Sequence, residues 1–221
     1  MAIMLDKVTK IIDGFTTLNN ITLTVNQGEI VGVMSTQLKE KAAFLQLITG
    51  AFKPSSGMYR ISFDQDEKSK EAIQLVTMST MHNATFTVQE WKAYEYFLHT
   101  QQDFICSWNV QAFLHKDKEN LTNCEQYQLH IIRALMKKPR ILLLDEPMSH
   151  LTSLALDELT FMLLMLKRQG MTIIISGSQK QNPPLICERL YVLDKGSMVQ
   201  CDFTEQIEKL TCERYLKKLL G

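Results

Sequence analysis

The sequence has no surplus of charge of either sign: 24 basic residues stand against 24 acidic ones. That balance argues against a nucleic-acid binder relying on bulk positive charge. It also has no apolar run near the roughly 20 residues a membrane span requires. The longest apolar stretches, such as 141–144 and 161–166, are broken by charge. The first residues, Met1-Ala2-Ile3-Met4-Leu5-Asp6, lack the basic-then-apolar order of a secretory signal. Any membrane contact is therefore expected to come through a partner. No C-x-x-C pair occurs among the five cysteines (106, 124, 187, 201 and 212), a spacing that suits reduced thiols in a reducing cytoplasm. The five histidines show no pair at metal-ligand spacing, so no metal site is expected. Internal repeats and low-complexity linkers are also missing.

What is present is enough apolar material for one large domain, 45% of 221 residues. Residues 2–9 and 19–25 alternate apolar and polar side chains, as half-buried antiparallel strands do. Residues 29–34 form a short apolar run suited to a buried strand. A helix is predicted over 41–49, with Gly50 where it would stop. Further strands are expected at 58–62 and 73–78. From about 79 to 137 the pattern turns helical. Trp91, Tyr94, Phe97 and Leu98 stand at helical spacing, and further helices are expected near 109–116 and 124–138. A fully apolar strand at 141–144 ends in Asp145-Glu146. A helix at 153–168, a strand at 172–176, strands near 189–193 and 197–201, and an amphipathic helix from about 204 follow. Strand–helix alternation around buried strands indicates a parallel α/β sheet, and the central helical block an inserted subdomain.

Two blocks carry a resemblance. Gly28-Glu29-Ile30-Val31-Gly32 leads into a helix ending Leu47-Ile48-Thr49-Gly50. Later, Arg133-Ala134-Leu135 precedes Pro139-Arg140-Ile141-Leu142-Leu143-Leu144-Asp145-Glu146-Pro147. Their content, spacing and order resemble the ABC-transporter ATPase family over essentially the whole chain. The resemblance implies one α/β domain over 1–221: a P-loop NTPase core with an antiparallel β subdomain and a helical subdomain inserted at about 79–137. Active members bind ATP between two such domains and drive a membrane permease.

The family's phosphate loop reads G-x-x-x-x-G-K-[ST]. Here the matching stretch is Ser35-Thr36-Gln37-Leu38-Lys39-Glu40-Lys41-Ala42, in which only Lys41 fits. Ser35, Leu38 and Glu40 stand where the family has glycines, whose backbone angles turn N–H groups inward. Glu40 is expected to place a negative charge near bound phosphates, a repulsion on the order of 1–4 kcal/mol. Ala42 removes the hydroxyl that holds magnesium. Lys41 is then a remnant, or a partner for Glu40, Asp145 or Glu146.

The signature loop, normally L-S-G-G-Q, reads Leu121-Thr122-Asn123-Cys124-Glu125. Asn123 and Cys124 replace the two glycines, Glu125 adds an acid, and Asn123 suits the N-cap of the next helix. The Q-loop glutamine aligns with Met78 and the switch histidine with Ser178. The adenine-stacking aromatic aligns near Ile12, with Phe15 as a possible substitute. The D-loop aspartate aligns with Thr152, beside His150, which is either a replacement acid–base group or structural. The strand-end acids survive: Asp145 would hold magnesium and Glu146 would orient the attacking water, or both are kept for folding through hydrogen bonds.

The expectation is a noncatalytic cassette subunit of a membrane transporter, a bacterial-type exporter in the first instance. Its partners would be a permease and an active ATPase paralogue, on the inner face of the cell membrane. Trp91, Tyr94 and Phe97 would meet the permease or fill the helical subdomain's own core. The C-terminal stripe Ile207, Leu210, Tyr215 and Leu219 would meet a partner or pack on its own domain. No cofactor is expected. ATP and magnesium belong to an alternative, a weakly active ATPase in a composite site. A further alternative is a soluble regulatory module on the same fold.

Overall fold

The computed structural model describes residues 2–62, 72–78, 120–178 and 186–202. The expected helices at 91–98, 109–116 and 204–218 lie outside these residues, as does most of the expected insert at 79–137.

β1 (Ile3–Ile12) and β2 (Phe15–Val25) form an antiparallel hairpin. Asp13 (φ 52°) and Gly14 (φ 80°) close it, the left-handed pair that a tight hairpin turn needs. β4 (Ser56–Ile61) lies on the other side of β1, giving the order β2-β1-β4.

The larger sheet contains β3 (Ile30–Ser35), β5 (Ile73–Val76), β6 (Ile141–Asp145), β7 (Thr172–Ser178), β8 (Arg189–Asp194) and β9 (Ser197–Asp202). Their order is β5-β6-β7-β3-β8-β9. All pairs are parallel except β8–β9, which is an antiparallel hairpin.

Alternation along the buried strands decides what each face meets. Ile30, Leu142, Leu144, Ile173 and Ile175 point to one face, onto α2 (Asn123–Met136) and α4 (Ser153–Arg168). Val31, Val33, Ile141, Leu143 and Ile174 point to the other, onto α1 (Leu38–Ile48) and the antiparallel sheet. A short α3 (Pro147–His150) follows β6. The ends of β3, β6 and β7 thus come side by side, with Ser35 in register with Ser178 and Asp145 with Ser176.

Three local expectations are corrected. α1 begins at Leu38, three residues before the predicted start. The Ser35 hydroxyl donates to the Gln37 carbonyl at 3.0 Å and accepts from the Gln37 N–H at 3.2 Å. This side-chain closure completes the turn and lets the helix start early. The N-cap of α2 is Thr122, with Asn123 the first helical residue. Thr122 accepts from the Glu125 N–H while the Glu125 carboxylate takes the Thr122 N–H at 2.8 Å, a reciprocal capping box that Asn123 has no acid placed to complete. Cys124 and Cys187 are free, but Cys201 is disulfide-bonded, so the expectation of reduced thiols throughout fails at that position.

Candidate functional site

β6 delivers Asp145 and Glu146 to the end of the sheet opposite the first turn of α1. Lys41 enters from α1 with 6% of its side chain exposed, and its ammonium lies 2.9 Å from Asp145 Oδ1. It also contacts Glu146 Oε1, so one cation holds both acids. Lys41 does not pair with Glu40, the third partner that the sequence left open.

Asp145 has further donors. The Ser176 hydroxyl donates to Oδ1 at 2.7 Å and the Thr77 hydroxyl to Oδ2 at 3.1 Å. The buried Tyr127 phenol donates to the Asp145 carbonyl at 2.9 Å. Burial first, then Asp145 and Glu146, hold the Tyr127 phenol well above its usual range, so it stays a proton donor. Glu146 adopts a left-handed backbone (φ 52°, ψ 46°) as the N-cap of α3. Its N–H donates to the Ser176 carbonyl at 2.9 Å, which fixes that conformation.

Glu40 does not face this cluster. Its carboxylate is turned to the β8–β9 turn, where Oε1 accepts from the Gly196 N–H at 2.8 Å. The expected repulsion of phosphates by Glu40 is therefore not supported by its direction. The reason is the early helix start, which puts Glu40 one residue from Lys41 on a continuous helix, so the two side chains diverge.

The structure places the other predicted positions against the cores, at a helix cap and on the surface. Ile12 and Met78 pack partly against the two cores. Phe15 is 78% exposed and Leu38 70% exposed. Ala42 is exposed on α1, and Ser178 half-buried at the end of β7. Cys124 packs partly against the α2–α4 core. Thr152 caps α4 by accepting from the Ala155 N–H at 3.3 Å. His150 stacks on Tyr127 with ring centroids 5.3 Å apart at 27°. Burial holds its pKa down against the opposing pull of Glu146 and Asp145. A neutral stacked ring suits a structural role better than acid–base exchange.

Ser176, Thr77 and Tyr127 complete the cluster and were not singled out in the sequence. A polar residue at the end of an apolar strand was the available signal for Ser176. Tyr127 had none, because its partner is a backbone carbonyl 18 residues away.

Positive φ values occur at Lys7, Asp13, Asn20, Lys138, Glu146, Lys195 and at Gly14, Gly28, Gly50, Gly57, Gly170 and Gly196, and at no residue from 35 to 42. The inward-pointing N–H nest of a phosphate loop needs such values. Lys41 is held by two carboxylates, and both Asp145 oxygens already accept hydrogen bonds. Among the described residues no helix is long and apolar enough to cross a membrane, and no cluster of three or more acids, histidines and cysteines could hold a metal.

Known proteins show the same architecture. The ABC transporter family profile matches residues 18–149. The high-affinity branched-chain amino acid transport ATP-binding protein BraG of Pseudomonas aeruginosa is 26% identical over 211 residues, 89% of this chain and 91% of that protein. The spermidine/putrescine import ATP-binding protein PotA of the same species is 25% identical over 232 residues, 97% of this chain and 62% of that protein. Among solved structures, cbiO1 of Clostridium perfringens, described as part of the ABC transporter complex cbiONQ, superposes with a TM-score of 0.72 at 20% identity, covering 98% of each chain. A nucleotide-free ATP-binding cassette gives a TM-score of 0.71 at 16% identity, over 100% of this chain and 99% of that one. With the family profile matched over residues 18–149 and cassette structures superposing over nearly the whole chain, the chain belongs to the ABC transporter family and has the fold of its ATP-binding cassette subunits.

Proposed function

We propose that this chain is a noncatalytic cassette subunit of a membrane transporter: a structural or regulatory partner of a permease and of an active ATPase paralogue. The observation that carries this reading is Lys41, buried between Asp145 and Glu146 on a helix that starts without a phosphate-binding nest. In the family resemblance, that lysine serves phosphate and those acids serve magnesium and water. Here the lysine is taken up by both acids. The relatives named for transport, and cbiO1 as part of a transporter complex, support a permease partner at the inner face of the membrane.

Titration calorimetry with ATP and magnesium is the direct test, with an intact cassette as the positive control. The expected outcome is no saturable, magnesium-dependent heat; micromolar binding would overturn the reading. Purification of the native complex tests the partners. A permease and an intact cassette are expected together, and a chain that copurifies with neither would favour a soluble regulatory module. The survival of Asp145 and Glu146 favours one further reading, weak hydrolysis in a composite site. ATP turnover by the purified complex that disappears in Glu146→Gln would support that instead.

A further inference from the structure

Glu40 is 5% exposed, in the first turn of α1. One carboxyl oxygen accepts the Gly196 N–H at 2.8 Å, and the other is buried with no hydrogen-bond partner. A buried ionised oxygen without a donor is costly, whereas a carboxylic acid in the same place carries no charge to solvate. Among the described residues, the charged groups around it do not relieve an anion. On α1, Lys39 is exposed and Lys41 is held by Asp145 and Glu146. On the β8–β9 turn, Asp194 adds a second negative charge, and Lys195 is exposed. On β2, Thr17 and Asn19 meet the turn, and neither titrates.

We propose that Glu40 is folded into the protein as a neutral carboxylic acid and acts as a proton-linked latch, joining the first turn of α1 to the β8–β9 turn and, through it, to the antiparallel sheet. Gly196 is the joint. Its N–H goes to Glu40, while its carbonyl accepts from the Asn19 N–H of β2 at 2.7 Å. Its backbone is left-handed (φ 77°), and an added Cβ would lie 3.2 Å from the Thr17 carbonyl oxygen, so the turn sits close on β2. Thr36, on the segment entering α1, donates to Asp194 at 2.8 Å and ties the same turn from a second point. The latch is independent of whether nucleotide binds.

Burial raises the Glu40 pKa most. The Gly196 hydrogen bond opposes that rise and Asp194 adds to it. For an acid raised in the folded state, the stabilising contribution is complete below the ordinary value of 4.5 and is lost as pH rises through the folded value. The full chain should therefore melt at lower temperature as pH increases across that window. Glu40→Gln, neutral at every pH, should flatten this dependence and melt above the wild type at the alkaline end. Asp194→Asn provides a second variant should Glu40→Gln fail to fold, and it should move the midpoint of the pH dependence downward. Carbon NMR of the glutamate carboxyls gives a direct reading of protonation, and hydrogen exchange should show Gly196 and Asn19 loosening with the same midpoint. A Glu40 that is ionised throughout, or variants whose profiles match the wild type, would overturn the latch.

Discussion

The Lys41 ammonium and the Asp145 carboxylate, brought from α1 and β6 to 2.9 Å, form an internal ion pair at the end of the core sheet. Glu146 shares the same cation, and hydroxyls of Ser176 and Thr77 also donate to Asp145. The side-chain exposures, 6% for Lys41, 17% for Asp145 and 18% for Glu146, make this a largely desolvated cluster. Breaking such a pair on one side strands a charge, and that governs how substitutions here should behave.

Lys41→Met should destabilise the protein by about 3–5 kcal/mol, the range for removing one partner from a buried ion pair. Urea denaturation monitored by circular dichroism measures it. A midpoint unchanged from wild type would show that the two acids are solvated without the lysine.

Glu146→Gln should cost less than Lys41→Met, because Lys41 keeps Asp145. In an active family member this change traps ATP between two cassettes. Here size-exclusion chromatography should show the same assembly with and without ATP and magnesium. An assembly that appears only with nucleotide would return Glu146 to a catalytic role.

Thr122→Ala should lower stability by about 1 kcal/mol, the usual loss on removing an N-cap. It deletes the acceptor for the Glu125 N–H and half of the capping box. Increased amide exchange confined to the first turn of α2 is the expected signature, with association to transporter partners unaffected. Unchanged exchange there would show the cap to be dispensable.

Glu29 should set the acid limit of stability, opposite in sign to Glu40. Burial alone would raise its pKa. Hydrogen bonds from Arg189 and the Asn26 N–H, with the Arg189 charge, outweigh burial and hold the carboxyl below its ordinary 4.5. A lowered acid stabilises above 4.5, and that stability is lost as pH falls through the folded value. Glu29→Gln should lose about 1.5–3 kcal/mol at neutral pH, as expected for a hydrogen bond to a charged group. The difference from wild type should shrink toward low pH in melts on both proteins. A constant difference across pH would place the acid limit elsewhere.

The strands, their order along the chain and the helix at 153–168 were legible because they depend on local periodicity and buried apolar runs, which a sequence displays directly. That residues 35–42 lack the glycines and hydroxyl of the family's phosphate loop is likewise a local fact of the sequence. The direction of a side chain is not local. Glu40 looked like a charge aimed at phosphates, yet it faces a turn 156 residues away. The early start of α1, set by the Ser35 hydroxyl closing on Gln37, decided that direction. In the same way the sequence supplied Lys41, Asp145 and Glu146 and left their pairing open. Chain folding brought α1 against the end of β6 and chose the two acids over Glu40, because a cation leaving water is held where both carboxylates converge and further hydroxyls complete their hydrogen bonds.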